Sequence, residues 1–555
     1  MNRIVLFFVF IIFIVDVAFA QNPLVKQWDK RFGGIGFEWL TCFAQTTDGG
    51  YILGGYSASG ISGDKTQAFW DTCINCTKGD YWIVKTDAAG NLQWEKSYGG
   101  QRYDLLHAVQ QTADGGYILG GYSASGVSGD KTKPLKGGVD YWIVKVDSLG
   151  NKQWDNDFGG TSSDVLVDVK QTPDHGYILG GSSLSGVGGD KTVPSWGTQD
   201  FWIVKTDSLG AKQWDKDFGA AYADFFSLLI PTSDGGYILA GYSTSMISGD
   251  KTQNSWGGRD YWIIKTDSLF NKIWDKDFGG TDDDNLSSIR QTADGGFILG
   301  GCSTSGSGGD KTQWLKGGNS DYDFWIIKTD SAGNKIFDKD FGGSNYEDEI
   351  GNVFQTADGG YMIAGTSYSN MGFDKSENNL GGEQTWIVKT DSLGIKQWDK
   401  TLFTSGHDEI GFAVQTNENC FTFATATSGG IAGYKTEPNW DTTNVVPDYW
   451  FIKFCDSTAT TNINGFQVSG FGFQVYPNPA KESIVISSEF PMNTGQVGEK
   501  NKAQLSITDL LGNEILRQQL ETRNFKLETS FLSPGIYFIR ILTQDGVAVR
   551  KFVKE

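Results

Sequence analysis

The chain is poor in the residues that usually carry chemistry. It has only three histidines, six cysteines, five methionines and eleven prolines in 555 residues. His107, His175 and His407 stand at unrelated places, and no H-E-x-x-H, G-x-S-x-G or Walker pattern occurs. No catalytic constellation is therefore visible. Six cysteines are too few for a disulfide framework in a chain this long. Cys73 and Cys76 form a lone C-x-x-C, two ligands short of a closed zinc site and suited to a local disulfide or two thiols. Cys420 and Cys455 fall in one segment and are placed to bridge it, while Cys42 and Cys302 sit in predicted strands as buried thiols. Positive charge is also short: 46 Lys and Arg face 66 Asp and Glu, for a net charge of −20. That balance excludes a nucleic-acid partner, which needs a cationic surface. Apolar runs are absent after Ile4–Val15, whose 12 residues are too short for a usual membrane span. Arg3 before it and Ala18-Phe19-Ala20 after it make it a secretory signal, with the mature chain starting at Gln21. No transmembrane segment is expected after cleavage. No cofactor is expected either, because the Gly-Gly pairs lie in β-turns and not before helices, where they would cradle phosphate. Ca²⁺ is the one cation to consider, at the acidic cluster Thr281–Asn285; it lacks EF-hand spacing and reads as a solvated acidic loop.

What the chain has in quantity is glycine, 74 residues, and aromatics, 14%. There is no G-X-Y period, so this is not collagen; glycine punctuates aromatic and β-branched runs, as in short strands joined by tight turns. The turn motif TADGGY recurs with its Asp at 48, 114, 174, 234, 294 and 358, with a degenerate copy at Asn417-Glu418-Asn419. The motif DYWIVK recurs with Trp at 82, 142, 202, 262, 325, 386 and 450. The motif QWDK recurs with Trp28, Trp94, Trp154, Trp214, Trp274, Phe337 and Trp398 at its aromatic position. A period near 60 residues marks a repeat architecture. Each copy resolves into two hairpins, as in Leu106–Thr112, Tyr117–Tyr122, Tyr141–Val146 and Lys152–Phe158, with a long loop carrying SGDKT between the second and third strands.

The ends of the array decide its shape. The last copy, from about Asp408 to Asp456, lacks a QWDK strand, and an orphan QWDK lies at Gln27–Lys30. An N-terminal strand that completes the last sheet closes a ring and removes two exposed edges; an open solenoid would need polar caps, and none is visible. The predicted fold is all-β: a seven-bladed β-propeller over residues 21–456, with four-stranded blades and the N-terminal strand closing the last, then a linker at 457–472 and a small β-sandwich at 473–555.

The 13 strand tryptophans recur in register and read as blade-to-blade packing. Two sets remain on the face that collects the long loops and the blade connections. Trp70, Trp196, Trp256, Trp314 and Trp440 lie in the loops and either fold back or stand out as a sugar-stacking or protein-anchoring platform. Glu38, Asp104, Asp164, Asp224, Asp284, Asp348 and Asp408 precede each turn by ten residues. They read as local acceptors pinning each connection, with a ligand- or cation-binding ring as the alternative. No site metal is assigned.

After Asp456 the repeat ends and basic residues become common. Short alternating strands follow: FQVYPNPAKESIVIS, QLSITDLLGNEI, FLSPGIYFIRI and GVAVRKFVKE. This pattern resembles the type A C-terminal sorting domain of the type IX secretion system of Bacteroidota. The matching residues are Tyr476, Pro477, Asn478 and Pro479, Asp509 with Gly512, Leu532 with Gly535 and Tyr537, and Lys551. The resemblance implies export across the inner membrane by the signal peptide and across the outer membrane by the type IX machinery. It also implies that the passenger is released to the medium or held at the cell surface. The repeats look like propeller passengers of such proteins, which implies no activity. The function expected is therefore a non-enzymatic propeller that binds extracellular glycan or protein through its loop-rich face. The alternatives are a polysaccharide hydrolase or lyase using channel carboxylates, and a structural surface protein.

Overall fold

The computed structural model describes residues 24–70, 79–317, 321–344, 348–409, 411–417, 420–443, 445–456, 473–476, 481–488, 503–508, 514–520, 524–543 and 546–554. The expected signal peptide, Cys73 and Cys76, the linker, and Pro477, Asn478, Pro479, Asp509 and Gly512 lie outside the described residues. The chain forms two compact units, the first ending at Cys455 and the second beginning at Asp456.

The first unit contains seven four-stranded antiparallel sheets. Blade 2 is representative: Asp104–Gln111, Tyr117–Ser123, Asp140–Val146 and Lys152–Phe158, paired in that order. Blades 1 and 3 to 6 begin at Glu38, Asp164, Asp224, Asp284 and Asp348. In blade 7, Phe412–Asn417, Cys420–Thr427 and Asp448–Asp456 are completed by the N-terminal strand Leu24–Phe32. Cys420 and Cys455, cross-strand partners in that blade, are joined as a disulfide. Cys42 and Cys302 remain thiols but are only half-buried, a correction to the buried position expected for them. Cys42 stands in the first strand of blade 1, and Cys302 takes the second-strand position that is half-buried also as Tyr56 and Tyr122.

The core is not one mass but seven interfaces. Each hydrophobic cluster draws on two adjacent blades. One joins Tyr141 and Ile143 to Trp202 and Val204; another joins Tyr449 and Phe451 of blade 7 to Leu53 and Trp82 of blade 1. The ring is therefore closed by packing as well as by pairing. The third-strand tryptophans are fully buried, and every indole N–H donates to the fourth-strand acid of the same sheet, from Trp82 to Glu95 at 2.8 Å through Trp450 to Asp29 at 3.2 Å. The QWDK tryptophans are half-buried against the same clusters.

First strands of neighbouring blades lie against one another, so they form the inner wall of the ring. An edge strand there has no ladder partner. Its free backbone groups are met by side chains from the preceding blade: Thr41 Oγ1 donates to the Leu106 carbonyl at 2.6 Å and Ser287 Oγ to that of Ile350 at 2.7 Å. At the opposite face, in blades 1, 2, 4, 5 and 6, the residue after the turn threonine donates its N–H to a glutamine of the following blade, as Ala113 does to Gln171 and Ala293 to Gln355, both at 2.8 Å. At the joint between blades 3 and 4 both partners are missing together: Pro173 has no N–H to donate, and Pro231 stands where the glutamine would be.

The second unit has two antiparallel sheets. One is ordered Phe473–Tyr476, Ser483–Ser488, Asn524–Glu528; the other is ordered Glu514–Leu520, Ala503–Thr508, Gly535–Thr543, Gly546–Lys554. Ile484, Ile486, Leu505, Ile507, Ile539 and Ile541 are buried. Among the described residues, no helix is long and apolar enough to cross a membrane.

Candidate functional site

The SGDKT loops are more structural than their polarity suggests. The lysine is buried in every blade, from Lys65 to Lys435. In blade 3, Lys191 pairs with the fourth-strand Asp217 at 2.5 Å, and Thr192 donates its N–H to Asp215 at 2.8 Å. Six residues after the loop aspartate comes the position of Trp70, Trp196 and Trp256, and of Trp440 six after Tyr434, which holds the aspartate's place in blade 7. These four rings are 40–59% exposed, yet each is engaged by the next blade. Trp70, Trp256 and Trp440 donate their indole N–H to Asp130, Asp310 and Asp64 at 3.0, 2.9 and 2.9 Å, and Trp196 hydrogen-bonds Asp250. In blade 2 the position is Lys136, whose ammonium meets Asp190 at 2.7 Å; in blade 5 it is Lys316, 4.0 Å from Asp374. In blade 6 it is Leu380, and there the next blade carries Tyr434 in place of the aspartate. The position is thus a clasp between blades, filled by either indole or ammonium where an aspartate receives it. Trp314 stands two residues out of this register and is 72% exposed, its ring beside Gly306 of its own loop. Replacement of Trp256 by lysine is expected to leave the melting temperature nearly unchanged, while Trp256→Ala costs about 1 kcal/mol, the value of one hydrogen bond; thermal melts of both variants check this.

The seven carboxylates at the first-strand starts, Glu38, Asp104, Asp164, Asp224, Asp284, Asp348 and Asp408, have no solvent exposure. In the first six, the carboxylate accepts the N–H of the preceding blade connection, as from Gly100 to Asp104 and Gly160 to Asp164, both at 2.7 Å; in Asp408 the Thr404 hydroxyl takes that place at 2.8 Å. Serine hydroxyls of the same blade complete the set, with Ser57 donating to Glu38 at 2.7 Å. Burial pushes Asp104, Asp284 and Asp348 up to about 7 and Asp224 and Asp408 up to about 6; Glu38 and Asp164 rise for the same reason. In the acidic cluster Thr281–Asn285 the carboxylates diverge: Asp284 accepts the Gly280 N–H at 2.7 Å, Asp283 accepts the Arg259 N–H at 3.0 Å, and Asp282 pairs with the Thr281 hydroxyl at 3.1 Å.

A different group emerges when the repeat is subtracted. The residues that open each first strand ring the central opening on the loop-rich face, and they differ from blade to blade: the position of Trp39 is Leu105, Val165, Phe225, Asn285, Glu349 and Glu409 in the others. Phe37, Trp39 and Tyr56 lie nearly parallel, with centroids 5.5–6.5 Å apart and interplanar angles of 10–22°. The charge of Glu409 from blade 7 reaches Tyr56. Glu409 Oε1 lies 2.9 Å from His407 Nε2, which also lies 3.3 Å from Glu383 Oε2. The Tyr368 hydroxyl lies 3.3 Å from His407 Nδ1. Burial pushes Glu383 up to about 7, and the charges of Glu409 and Glu349 add to the rise. The hydrogen bond to Glu409 raises His407. Sequence reasoning missed this group because its members are far apart and stand at positions that vary from copy to copy. The available signal was that these variable positions fall where the propeller topology brings them together.

In the second unit, the sorting residues that are described take ordinary strand roles. Tyr476 ends the first strand, Gly535 opens a strand that carries Tyr537, and Lys551 lies in the last. Tyr537 is buried and donates its hydroxyl to the Ser533 carbonyl at 2.8 Å, and Leu532 is buried beside it in sequence.

No curated protein matches the chain. Among solved structures it is similar to PorZ, a surface component of the type IX secretion system of Porphyromonas gingivalis, at 10% identity and a TM-score of 0.37 over 94% of this chain; it spans 60% of that protein. It is similar to the Pan2 WD40 domain of Neurospora crassa at 9% identity and a TM-score of 0.40, covering 78% of this chain and 96% of that one. A Dyadobacter fermentans protein gives 11% identity and a TM-score of 0.40, covering 78% and 99%. Residues 474–555 match the family model of the secretion system C-terminal sorting domain. The chain is a β-propeller protein carrying a type IX sorting domain, which engages that secretion machinery and directs export to the cell surface or the medium.

Proposed function

We propose that the exported propeller binds a glycan at the acidic and aromatic sector of its central opening, on blades 6, 7 and 1. The observation that carries this reading is the cluster itself: the near-parallel rings of Phe37, Trp39 and Tyr56 stand within reach of the Glu409 charge of the neighbouring blade. Near-parallel rings offer an apolar surface to the C–H face of a sugar, and neighbouring carboxylates accept its hydroxyl protons. A long glycan lying across the same face would also meet the exposed rings of the loop tryptophans, Trp314 above all.

Binding of the full chain to a glycan array tests this. Trp39→Ala combined with Tyr56→Ala is expected to weaken the bound glycan about tenfold or more, which corresponds to about 1.4 kcal/mol. Trp314→Ala is expected to change it little unless the glycan is long. Unchanged binding by the Trp39 and Tyr56 variant would move the site elsewhere. Absence of binding across a broad panel would remove the glycan reading in favour of a protein partner or a structural role. Release of reducing ends would make the protein a hydrolase.

A further inference from the structure

We infer that Glu383, His407 and Glu409 form a binding site for one divalent transition-metal ion of the Zn²⁺ class. The inference is independent of what the neighbouring aromatic rings bind. His407 Nε2 and one oxygen of each carboxylate lie within 4.8 Å of one another, at 2.9 Å from Glu409 and 3.3 Å from Glu383. Ligands about 2.0–2.2 Å from a zinc ion, at the angles of tetrahedral or octahedral coordination, are about 2.9–3.6 Å apart. The spacing of the two carboxylate oxygens from the imidazole therefore needs little adjustment to accept the ion.

Three further features point the same way. First, the far ring nitrogen has its own partner. The Tyr368 hydroxyl, 3.3 Å from Nδ1, orients the imidazole and leaves Nε2 for the ion, as outer partners of metal-bound histidines do. Second, the local charge is unbalanced. Glu383 and Glu409 both approach one imidazole, so a proton on His407 offsets one of two carboxylates, whereas a divalent ion offsets both and leaves the imidazole neutral. Third, the group is reachable: the side chain of His407 is 38% exposed and that of Glu409 21%. An ion can enter and keep one coordination position open to solvent.

The repeat provides the internal control. The position of Glu383 is held by Gly79, Val139, Gln199, Arg259, Tyr322 and Pro447 in the other blades. A role in building blades would recur there, and it does not. One imidazole among carboxylates suits Zn²⁺, Co²⁺ or Ni²⁺, whereas Ca²⁺ favours a shell of oxygens alone.

Calorimetric titration of the chelator-stripped full chain with ZnCl₂ at neutral pH is expected to show one site per chain. His407→Ala and Glu409→Gln are each expected to weaken it at least tenfold, and Cys73→Ser with Cys76→Ser to leave it unchanged. Co²⁺ is expected to give a visible absorption band that His407→Ala removes, and CaCl₂ to compete poorly. No Zn²⁺ heat, Zn²⁺ binding unaltered in His407→Ala, or Ca²⁺ binding as tight as Zn²⁺ would each overturn the site. The variants' melting temperatures without metal report whether they fold.

Discussion

A chain lacking residues 21–34 will not give the cooperative melt of the full propeller. The N-terminal strand Leu24–Phe32 is the outer strand of blade 7, far in sequence from its partners. Leu24 and Phe32 are buried, and Trp28 lies 4.9 Å from Phe451, also touching Tyr51 of blade 1. Burial of each such side chain is worth about 1.5–3 kcal/mol. Asp29 accepts the Thr436 N–H at 2.8 Å, the Thr436 hydroxyl at 2.6 Å and the Trp450 indole at 3.2 Å, and each hydrogen bond contributes about 1 kcal/mol. Their sum is on the order of 10 kcal/mol, comparable to the whole stability of a typical domain. The deletion also leaves Asp448–Asp456 as an unpaired edge, open to aggregation. Asp29→Ala is the milder test, expected to cost about 3 kcal/mol while cooperativity is kept. Calorimetry and limited proteolysis measure both; an unchanged melting temperature in the deletion would refute closure by this strand.

The second large effect is an inverted dependence of stability on pH. Burial raises Asp104, Asp284 and Asp348 to about 7 and Asp224 and Asp408 to about 6 in the folded ring, against about 3.9 in the unfolded chain. Between those limits the folded state holds more protons than the unfolded one, so stability falls as pH rises. His107, which burial lowers to about 4, works the other way in part of the window, but it stands against these five and against Asp80, Asp140 and Asp448, which burial also raises, to about 8, 7 and 8. Below pH 4 a different set takes over. Asp48, Asp114, Asp174, Asp234 and Asp294 are held at about 2 by threonine, lysine and backbone partners despite partial burial. Their stabilisation is present above about 3.9 and is lost as pH falls through 2. The optimum is therefore expected near pH 4–5, below the usual range of about 5–8. The melting temperature at pH 5 is expected to exceed that at pH 8 by about 5 °C or more, because each pKa unit is about 1.4 kcal/mol and each kcal/mol shifts a large domain by about 2 °C. A flat or rising profile from pH 5 to 8 would show that the ring carboxylates stay ionised.

Most of the architecture was legible from spacing alone, because a blade cannot bury its two faces without neighbours. The orphan Gln27–Lys30 motif announced closure of the ring, and the third-strand tryptophans announced the interfaces. The site was less legible for physical reasons. A loop tryptophan reads the same whether its ring faces a ligand or its N–H meets Asp310 in the next blade; only the Trp, Lys and Leu alternation at that position, matched by Tyr434, tells them apart, and the matching is visible only once the loops are placed. Glu383, His407 and Glu409 meet because the third strand of one blade and the first of the next start on the same face. No local pattern marks that meeting.

The proline pair Pro173 and Pro231 bears on how such a ring can change over time. The two halves of that joint sit on different copies of the repeat, as do Leu380 and Tyr434. Cutting out blade 4 and splicing blade 3 to blade 5 would set Pro173 against Gln291, leaving the glutamine without its donor. The portable module is therefore not the sheet but the seam, half of one copy with half of the next. Loss that respects sheet boundaries breaks two seams and makes a mismatched one, and duplication adds a seam between two like halves, so the ring tolerates drift within a seam more readily than exchange of whole blades.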